Sequence, residues 1–295
     1  MDNMKIALGT VQFGLDYGIT NSAGKTPIHE VKQILEFAYK NGINIIDTAP
    51  SYGESETVLG ENRLSDFNFV TKTPTIESQI IRESDVDYVV KVFYESLMKL
   101  KVDSLYGFIM HQINDIYKPG FEMLYEKLQE LKSKGLVKNI GISIYEQPEI
   151  DYFLGLYQFD LVQLPINVLD QRLVKTQILS KLKKERIKIH ARSIFLQGIL
   201  LTNPEALHPQ FRDAQDILSS YYEDLRAKEL SLLEGALLFI KERTEIDYAV
   251  IGVNNLEHVK EIYNAYLNIM NYKKVDIDFT RYSVSNEKIL DPRRW

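Results

Sequence analysis

Cysteine is absent from all 295 residues. That absence excludes thiolate nucleophiles, disulfide frameworks and thiolate metal sites, and it fits a reducing compartment. Histidine is sparse: His29, His111, His190, His208 and His258 are scattered along the chain with no H-E-x-x-H arrangement, so no metal is expected. No G-x-G occurs either. The glycine fingerprint that brings backbone against a pyrophosphate on an open dinucleotide-binding sheet is therefore missing. Gly24-Lys25-Thr26 has the ending of a phosphate-binding loop, but Gly18 precedes Gly24 by six positions instead of five and Pro27 follows, so the segment reads as a turn.

Long apolar runs are missing too. No stretch approaches 18 uncharged apolar residues, and Met1-Asp2-Asn3-Met4-Lys5 has no apolar leader, so no membrane span is expected and the cytoplasm is the expected compartment. The formal net charge is −6, and no Lys/Arg run is long enough to track a phosphate backbone. Nucleic acid is accordingly not an expected partner. The one basic stretch, Lys183-Lys184-Glu185-Arg186-Ile187-Lys188, reads as a solvated helix end.

What the chain does have is an ample apolar fraction, 45% against 26% charged, and a regular alternation of two periods. Short β-branched runs mark eight strands: Ile6 to Leu8, Ile43 to Asp47, Phe67 to Lys72, Ser104 to Met110, Val137 to Ser143, Leu161 to Leu164, Ile187 to Arg192 and Tyr248 to Gly252. Helical spacing follows each: Ile28 to Asn41, Ser55 to Glu61, Asp85 to Leu100, Pro119 to Lys134, Gln147 to Tyr157, Gln171 to Glu185, Asp213 to Glu242 with a break, and Asn255 to Ile269. Pro27 near a helix start, and Gly42 and Gly135 just past helix ends, sharpen the boundaries. Strands apolar on both faces must be covered on both, and βα alternation makes their sheet parallel. Eight repeats favour closure over an open doubly wound sheet. The expected fold is a single α/β domain over 1–295, a (β/α)8 TIM barrel with a short C-terminal tail, 271–295, over the barrel mouth.

In such a barrel the active site lies at the C-terminal ends of the strands. Here the second strand ends in Asp47, followed by Tyr52 in the loop, the third in Lys72 and the fourth runs into His111. Singly each has an ordinary explanation: a turn cap, a half-buried aromatic, a strand-end charge, a hydrogen-bonded core histidine. Jointly they point to chemistry, because a buried Lys and a buried Asp require each other or a third charge. A phenol is a weak acid near neutrality, and a nearby ammonium favours its ionised form. Asp47 would hold Lys72 charged, Lys72 would make Tyr52 a proton donor, and His111 would bind the substrate oxygen or relay a proton. A different (β/α)8 enzyme, using Lys72 as a Schiff base, is a competing reading.

The order Gly9-Thr10, Asp47-Thr48-Ala49-x-x-Tyr52-Gly53, Lys72, His111, Gly141-Ile142-Ser143, Gln163 with Asn167, Ser193 to Gly198, and Gly252 resembles the aldo-keto reductase superfamily over nearly the whole chain. The resemblance implies catalytic Asp47, Tyr52, Lys72 and His111, and an NADP or NAD cofactor lying across the barrel mouth without a Rossmann unit. Gly9, Thr10 and Asp47 would border that cofactor, and Ser143 and Gln163 would hydrogen-bond its carboxamide. Ser193, Phe195, Gln197 and Gly198 would line the pyrophosphate path, while Gly252, Asn254, Asn255 and His258 would approach the adenosine end. Helix N-termini favour such anions.

Three departures from the family pattern stand out. Arg192 occupies the place of an aromatic that stacks on nicotinamide in many relatives, and either stacks likewise or contacts substrate. Neutral Asn254 and Asn255 replace the usual Lys or Arg near the 2′-phosphate, with His258 where Gln is usual, which makes NADH an alternative to NADPH. Only Met1 to Lys5 precede the first strand, so something other than an N-terminal hairpin plugs the barrel bottom or the opening is small. The segment Gly9 to Gly18 also resembles bacterial members found with surface-polysaccharide or sugar-modifying pathways. Phe13, Tyr17, Gln112 and Tyr145 are expected around Tyr52 and His111 as walls for a sugar-like ring or small aldehyde, with Trp295 closing the pocket. A second function class is a regulatory subunit that binds the cofactor and docks a partner protein.

Overall fold

The computed structural model describes residues 4–62, 67–272 and 276–295. Eight parallel strands close into a barrel in sequence order: β1 (Lys5–Gly9), β2 (Ile45–Asp47), β3 (Asn68–Lys72), β4 (Leu105–Met110), β5 (Val137–Ser143), β6 (Leu161–Pro165), β7 (Lys188–Arg192) and β8 (Tyr248–Gly252). Pairing of β1 with β8, Gly9 opposite Gly252, completes the cylinder. Around it lie α1 (Ile28–Lys40), α2 (Ser55–Asn62), α3 (Glu83–Leu100), α4 (Phe121–Ser133), α5 (Gln147–Leu154), α6 (Ile178–Lys184), α7 (Gln215–Ala227), α8 (Leu232–Lys241) and α9 (Leu256–Asn271). This is the expected (β/α)8 barrel, with α10 (Glu287–Leu290) in the tail. Residues 273–275 of the expected tail, and Met1 to Asn3 at the other end, lie outside the described residues.

Two cores follow from strand alternation. Outward-facing apolar side chains pack under the helices, each worth roughly 1.5–3 kcal/mol on burial; Val89, Phe93 and Leu100 of α3 are fully buried there. Inside the cylinder, Ala7, Ile45, Val70, Ile109 and Leu161 form a separate small cluster. The barrel bottom is plugged by side chains of its own strands. Lys188 Nζ donates to Tyr106 Oη at 3.0 Å and Asn139 Oδ1 at 3.1 Å, and sits 4.8 Å from the Tyr106 ring centroid.

Boundaries shift where local hydrogen bonding competes with periodicity. Ile43 is expected in the second strand, but its N–H bonds Ala38 O at 2.9 Å and closes the end of α1, with Gly42 at φ 73 making the left-handed turn. The helix expected from Gln171 begins only at Ile178. Asn167 Oδ1 instead accepts the N–H groups of Leu169 and Asp170, both at 2.9 Å, and Gln171 Nε2 donates to Val168 O and Phe279 O. Polar side chains that satisfy backbone locally hold that segment as a turn. The expected break within Asp213 to Glu242 falls between α7 and α8, where Ser231 accepts the Glu234 N–H in a capping box.

Candidate active site

Three neighbouring strands deliver the site. Asp47 ends β2 and Lys72 ends β3, and parallel register sets Asp47 opposite Val70 and Lys72 opposite Ile109. Alternation then turns both side chains inward at the barrel rim, where Lys72 Nζ donates to Asp47 Oδ1 at 2.7 Å and to Thr48 O at 2.8 Å. Lys72 is 1% exposed and Asp47 4%. Burial, the largest influence on Lys72, opposes its charge, but Asp47 and the Tyr52 phenol outweigh it and raise the ammonium pKa above its ordinary value. From across the barrel, Gln163 of β6 donates Nε2 to Asp47 Oδ2 at 2.7 Å. Both carboxylate oxygens are thereby engaged.

Tyr52 comes from the loop after β2 and lies with its ring centroid 4.9 Å from Lys72 Nζ. His111, just past β4, meets Tyr52 edge-on at 6.3 Å between ring centroids. The His111 N–H bonds Thr73 Oγ1 at 3.1 Å. Burial first, then the positive charges of Lys72 and Arg192, push its imidazole down to about 3. His111 is therefore neutral near pH 7 and can hydrogen-bond an oxygen without carrying charge.

The turn carrying Tyr52 is held by close backbone packing. A Cβ on Gly14 would fall 1.8 Å from Tyr52 O, so the loop after β1 can lie against this turn only through a glycine. Beneath it, Thr10 Oγ1 donates to Asp47 O, and Ser55 Oγ donates to Thr10 O, both at 2.9 Å. Thr10, expected beside the cofactor, is fully buried, and its hydroxyl braces the end of β2. Neither bracing contact is legible in sequence, because Gly14 meets Tyr52, and Ser55 meets Thr10, across long stretches of chain.

Beside the mouth, a cleft of about 620 Å³ runs between the loop after β7 and the start of α9. Of the residues expected to hold a cofactor, Ser193, Phe195, Gln197, Gly198, Gly252, Asn254 and His258 line this one cleft. Gly9, Ser143, Gln163 and Arg192 belong instead to the C-terminal parts of β1, β5, β6 and β7. Asn255 serves as the N-cap of α9, its Oδ1 accepting the His258 N–H at 2.8 Å. The loop after β1 straps the cleft: Gln197 accepts from Ile19 N at 3.0 Å and Thr20 Oγ1 at 2.8 Å, and donates to Tyr17 Oη at 3.0 Å.

The cleft suits an extended nicotinamide dinucleotide. Its volume is that of pockets that enclose organic ligands, it ends at a helix N-terminus, and Gln12 Oε1 is buried along its wall with no hydrogen-bond partner among the described residues. Gly252 leaves open a space in which a Cβ would fall 3.0 Å from the Gln12 amide. Among the described residues no Lys or Arg lines the cleft, and Glu261 is the acidic one.

The expected substrate walls separate in the structure. Tyr17 is 41% exposed at the rim, and Gln112 is exposed just past His111. Phe13 is 1% exposed and belongs to the hydrophobic core. Trp295 packs edge-on against Phe211 at 4.9 Å and donates Nε1 to Lys288 O at 3.0 Å, so it anchors the tail. The tail reaches Tyr145 through Arg293, whose guanidinium carbon lies 3.5 Å from the ring centroid, and Arg192 lies over the same ring at 4.2 Å.

This arrangement has known relatives. The model of the aldo/keto reductase family matches residues 5–278. Over 284 residues the chain is 24% identical to the D-arabinose 1-dehydrogenase of Saccharomyces cerevisiae, an alignment covering 88% of this chain and 82% of the yeast protein. It is 26% identical over 190 residues to the NADH-specific methylglyoxal reductase of Escherichia coli, covering 58% of this chain and 57% of that protein. Among solved structures, the holo form of the aldo-keto reductase AKR11C1 from Bacillus halodurans shares the fold, with a TM-score of 0.72 at 18% identity over 97% of this chain and 90% of that one. The match to the family model spans all eight barrel strands and every member of the Asp47, Tyr52, Lys72 and His111 cluster, and the chain belongs to the aldo/keto reductase family.

Proposed function

We propose that the chain is a nicotinamide-dependent carbonyl oxidoreductase in which Tyr52 gives a proton to the substrate oxygen, with NADH the better fitting cofactor. A bound nicotinamide supplies or accepts the hydride. The chain's own residues manage the oxygen and its proton. In the reducing direction the Tyr52 hydroxyl protonates the carbonyl oxygen, and the Lys72 ammonium stabilises the negative charge left on the phenol. Asp47 keeps that ammonium charged and aimed, and Gln163 keeps Asp47 in place. Neutral His111 hydrogen-bonds the same substrate oxygen and fixes the carbonyl over the site. In the oxidising direction the proton returns to Tyr52 from the alcohol.

One observation carries the reading: a buried Lys72–Asp47 pair, 2.7 Å apart, beneath the ring of Tyr52. The preference for NADH rests on the lining of the cleft, where a 2′-phosphate would find no Lys or Arg among the described residues to form a charge-assisted bond. Aldehydes and sugars are the substrate class that fits, in keeping with relatives named for D-arabinose and methylglyoxal.

The test is a Tyr52→Phe variant titrated with NADH and NADPH by cofactor fluorescence and assayed on an aldehyde and aldose panel. Turnover should fall about 10²–10⁴-fold, the usual contribution of general acid catalysis, while NADH binding persists and is tighter than NADPH binding. Normal turnover by the variant would refute Tyr52 as proton donor, and tighter NADPH binding would refute the cofactor assignment.

A further inference from the structure

Around the mouth, cations come with their counter-charges. Lys72 is neutralised by Asp47 at 2.7 Å, Arg293 by Asp291 at 2.7 Å and Arg294 by Glu287 at 2.5 Å. Arg192 differs. Among the described residues no carboxylate lies within ion-pair distance of it, and its polar contacts are long: Nη1 to Ser193 Oγ at 3.4 Å and Nη2 to Ile144 O at 3.3 Å. The acidic side chains of the adjoining turn are engaged elsewhere. Glu149 accepts the N–H groups of Tyr145 at 2.6 Å and Glu146 at 2.9 Å, and Glu146 itself faces Arg172 at 4.0 Å.

Arg192 is nonetheless held in place. It ends β7 in register with Pro165 of β6, two residues beyond the Gln163 that grips Asp47, and its guanidinium lies 4.2 Å from the Tyr145 ring centroid. Stacking fixes the plane of a guanidinium while leaving its edge donors free. Its charge is felt inside the site, since Arg192 helps depress the His111 imidazole. In a chain of net charge −6, a half-buried, oriented and unneutralised guanidinium at the catalytic rim is a recognition element for an anion.

We propose that Arg192, seated over Tyr145, is a specificity-determining residue that selects carbonyl substrates bearing an oxyanion group, a carboxylate or a phosphate, through the guanidinium N–H donors that its two long contacts leave unused. The proposal rests on the carbonyl oxidoreductase reading of this site. Tyr145 acts as a positioning residue.

The experiment compares kcat/KM on matched pairs: glyceraldehyde 3-phosphate with glyceraldehyde, and succinic semialdehyde with butanal. The ratio within a pair cancels any general loss of folding or cofactor binding. Wild type should favour the anionic member of at least one pair by about tenfold or more, and the pair affected identifies phosphate or carboxylate. Arg192→Gln should collapse that ratio by about 10- to 100-fold, Arg192→Lys should retain part of it, and added salt should erode it in wild type. A wild-type ratio near one in both pairs, or a ratio untouched in Arg192→Gln, overturns the proposal and leaves the oxidoreductase reading standing. Failure of wild type to turn over any of the four carbonyls with either cofactor, despite binding NADH, sinks that reading and this proposal with it.

Discussion

Replacing Asp47 by Asn isolates the charge that the site depends on. The carboxylate accepts from Lys72 on Oδ1 and from Gln163 on Oδ2, both at 2.7 Å, and Asn can offer only one acceptor oxygen there. Lys72 is 1% exposed, so after the change its ammonium has no counter-charge and almost no water. Breaking a buried pair from one side costs about 3–5 kcal/mol, which for a domain of this size lowers Tm by on the order of 10 °C. The pH dependence has a definite sign. In wild type the folded Lys72 pKa is raised above 10.5, so the pair's stabilisation is full below that value and is lost as pH climbs through the higher folded value.

In Asp47→Asn the desolvation of Lys72 is no longer outweighed, and its folded pKa should drop below the unfolded one. The unfolded chain then binds more protons, so the deficit relative to wild type should shrink as pH rises from about 6 toward about 10. The assay is thermal unfolding by circular dichroism across that range, paired with kcat at saturating substrate, where a loss of at least about 100-fold is expected. A variant that melts within about 2 °C of wild type and keeps its turnover would refute the account, since the 1 kcal/mol or less implied is what a solvated pair gives.

Two further outcomes follow from the same geometry. His111 and His190 are each depressed to about 3, by burial first and then by neighbouring cations, so native stability should decline as pH falls below about 6.5. Among the described residues neither nitrogen of His190 has a hydrogen-bond partner, so His190→Leu should be tolerated near neutrality and should flatten the acid decline measured by urea titration; an unchanged decline would contradict this. Gly14→Ala puts a methyl 1.8 Å from Tyr52 O and must displace the turn that carries the phenol. Turnover should fall by roughly tenfold or more, because small misplacements of reacting groups are costly, and a fully active Gly14→Ala would show the turn to be adaptable.

The route from Ile43 to Lys72 shows what was legible in advance. Apolar runs ending abruptly in Asp47 and Lys72 marked both as inward-facing strand ends, since a charge there has no reason to exist in a core without a partner. The missing G-x-G likewise argues against an open dinucleotide-binding sheet. Element ends are less legible. Ile43 and Gln171 obey the local period, but one backbone N–H closes a helix and one side-chain amide reaches Phe279, 108 positions away. At the substrate end, Phe13 is expected as an aromatic face and Trp295 as the end of a tail folding over the mouth, whereas Phe13 lies in the core and Trp295 packs on Phe211.

The sequence by itself determined the strand–helix repeat and put Asp47, Lys72 and His111 at or just past strand ends, because periodicity is a property of short segments. Only the tertiary structure decided which groups face one another. The engagement of Asp47 by Gln163, the strap from Thr20 to Gln197 and the stack of Tyr145 with Arg192 and Arg293 join residues far apart in the chain. Such pairings are set by barrel register and loop crossing, and these arise only when all eight strands have closed on one another.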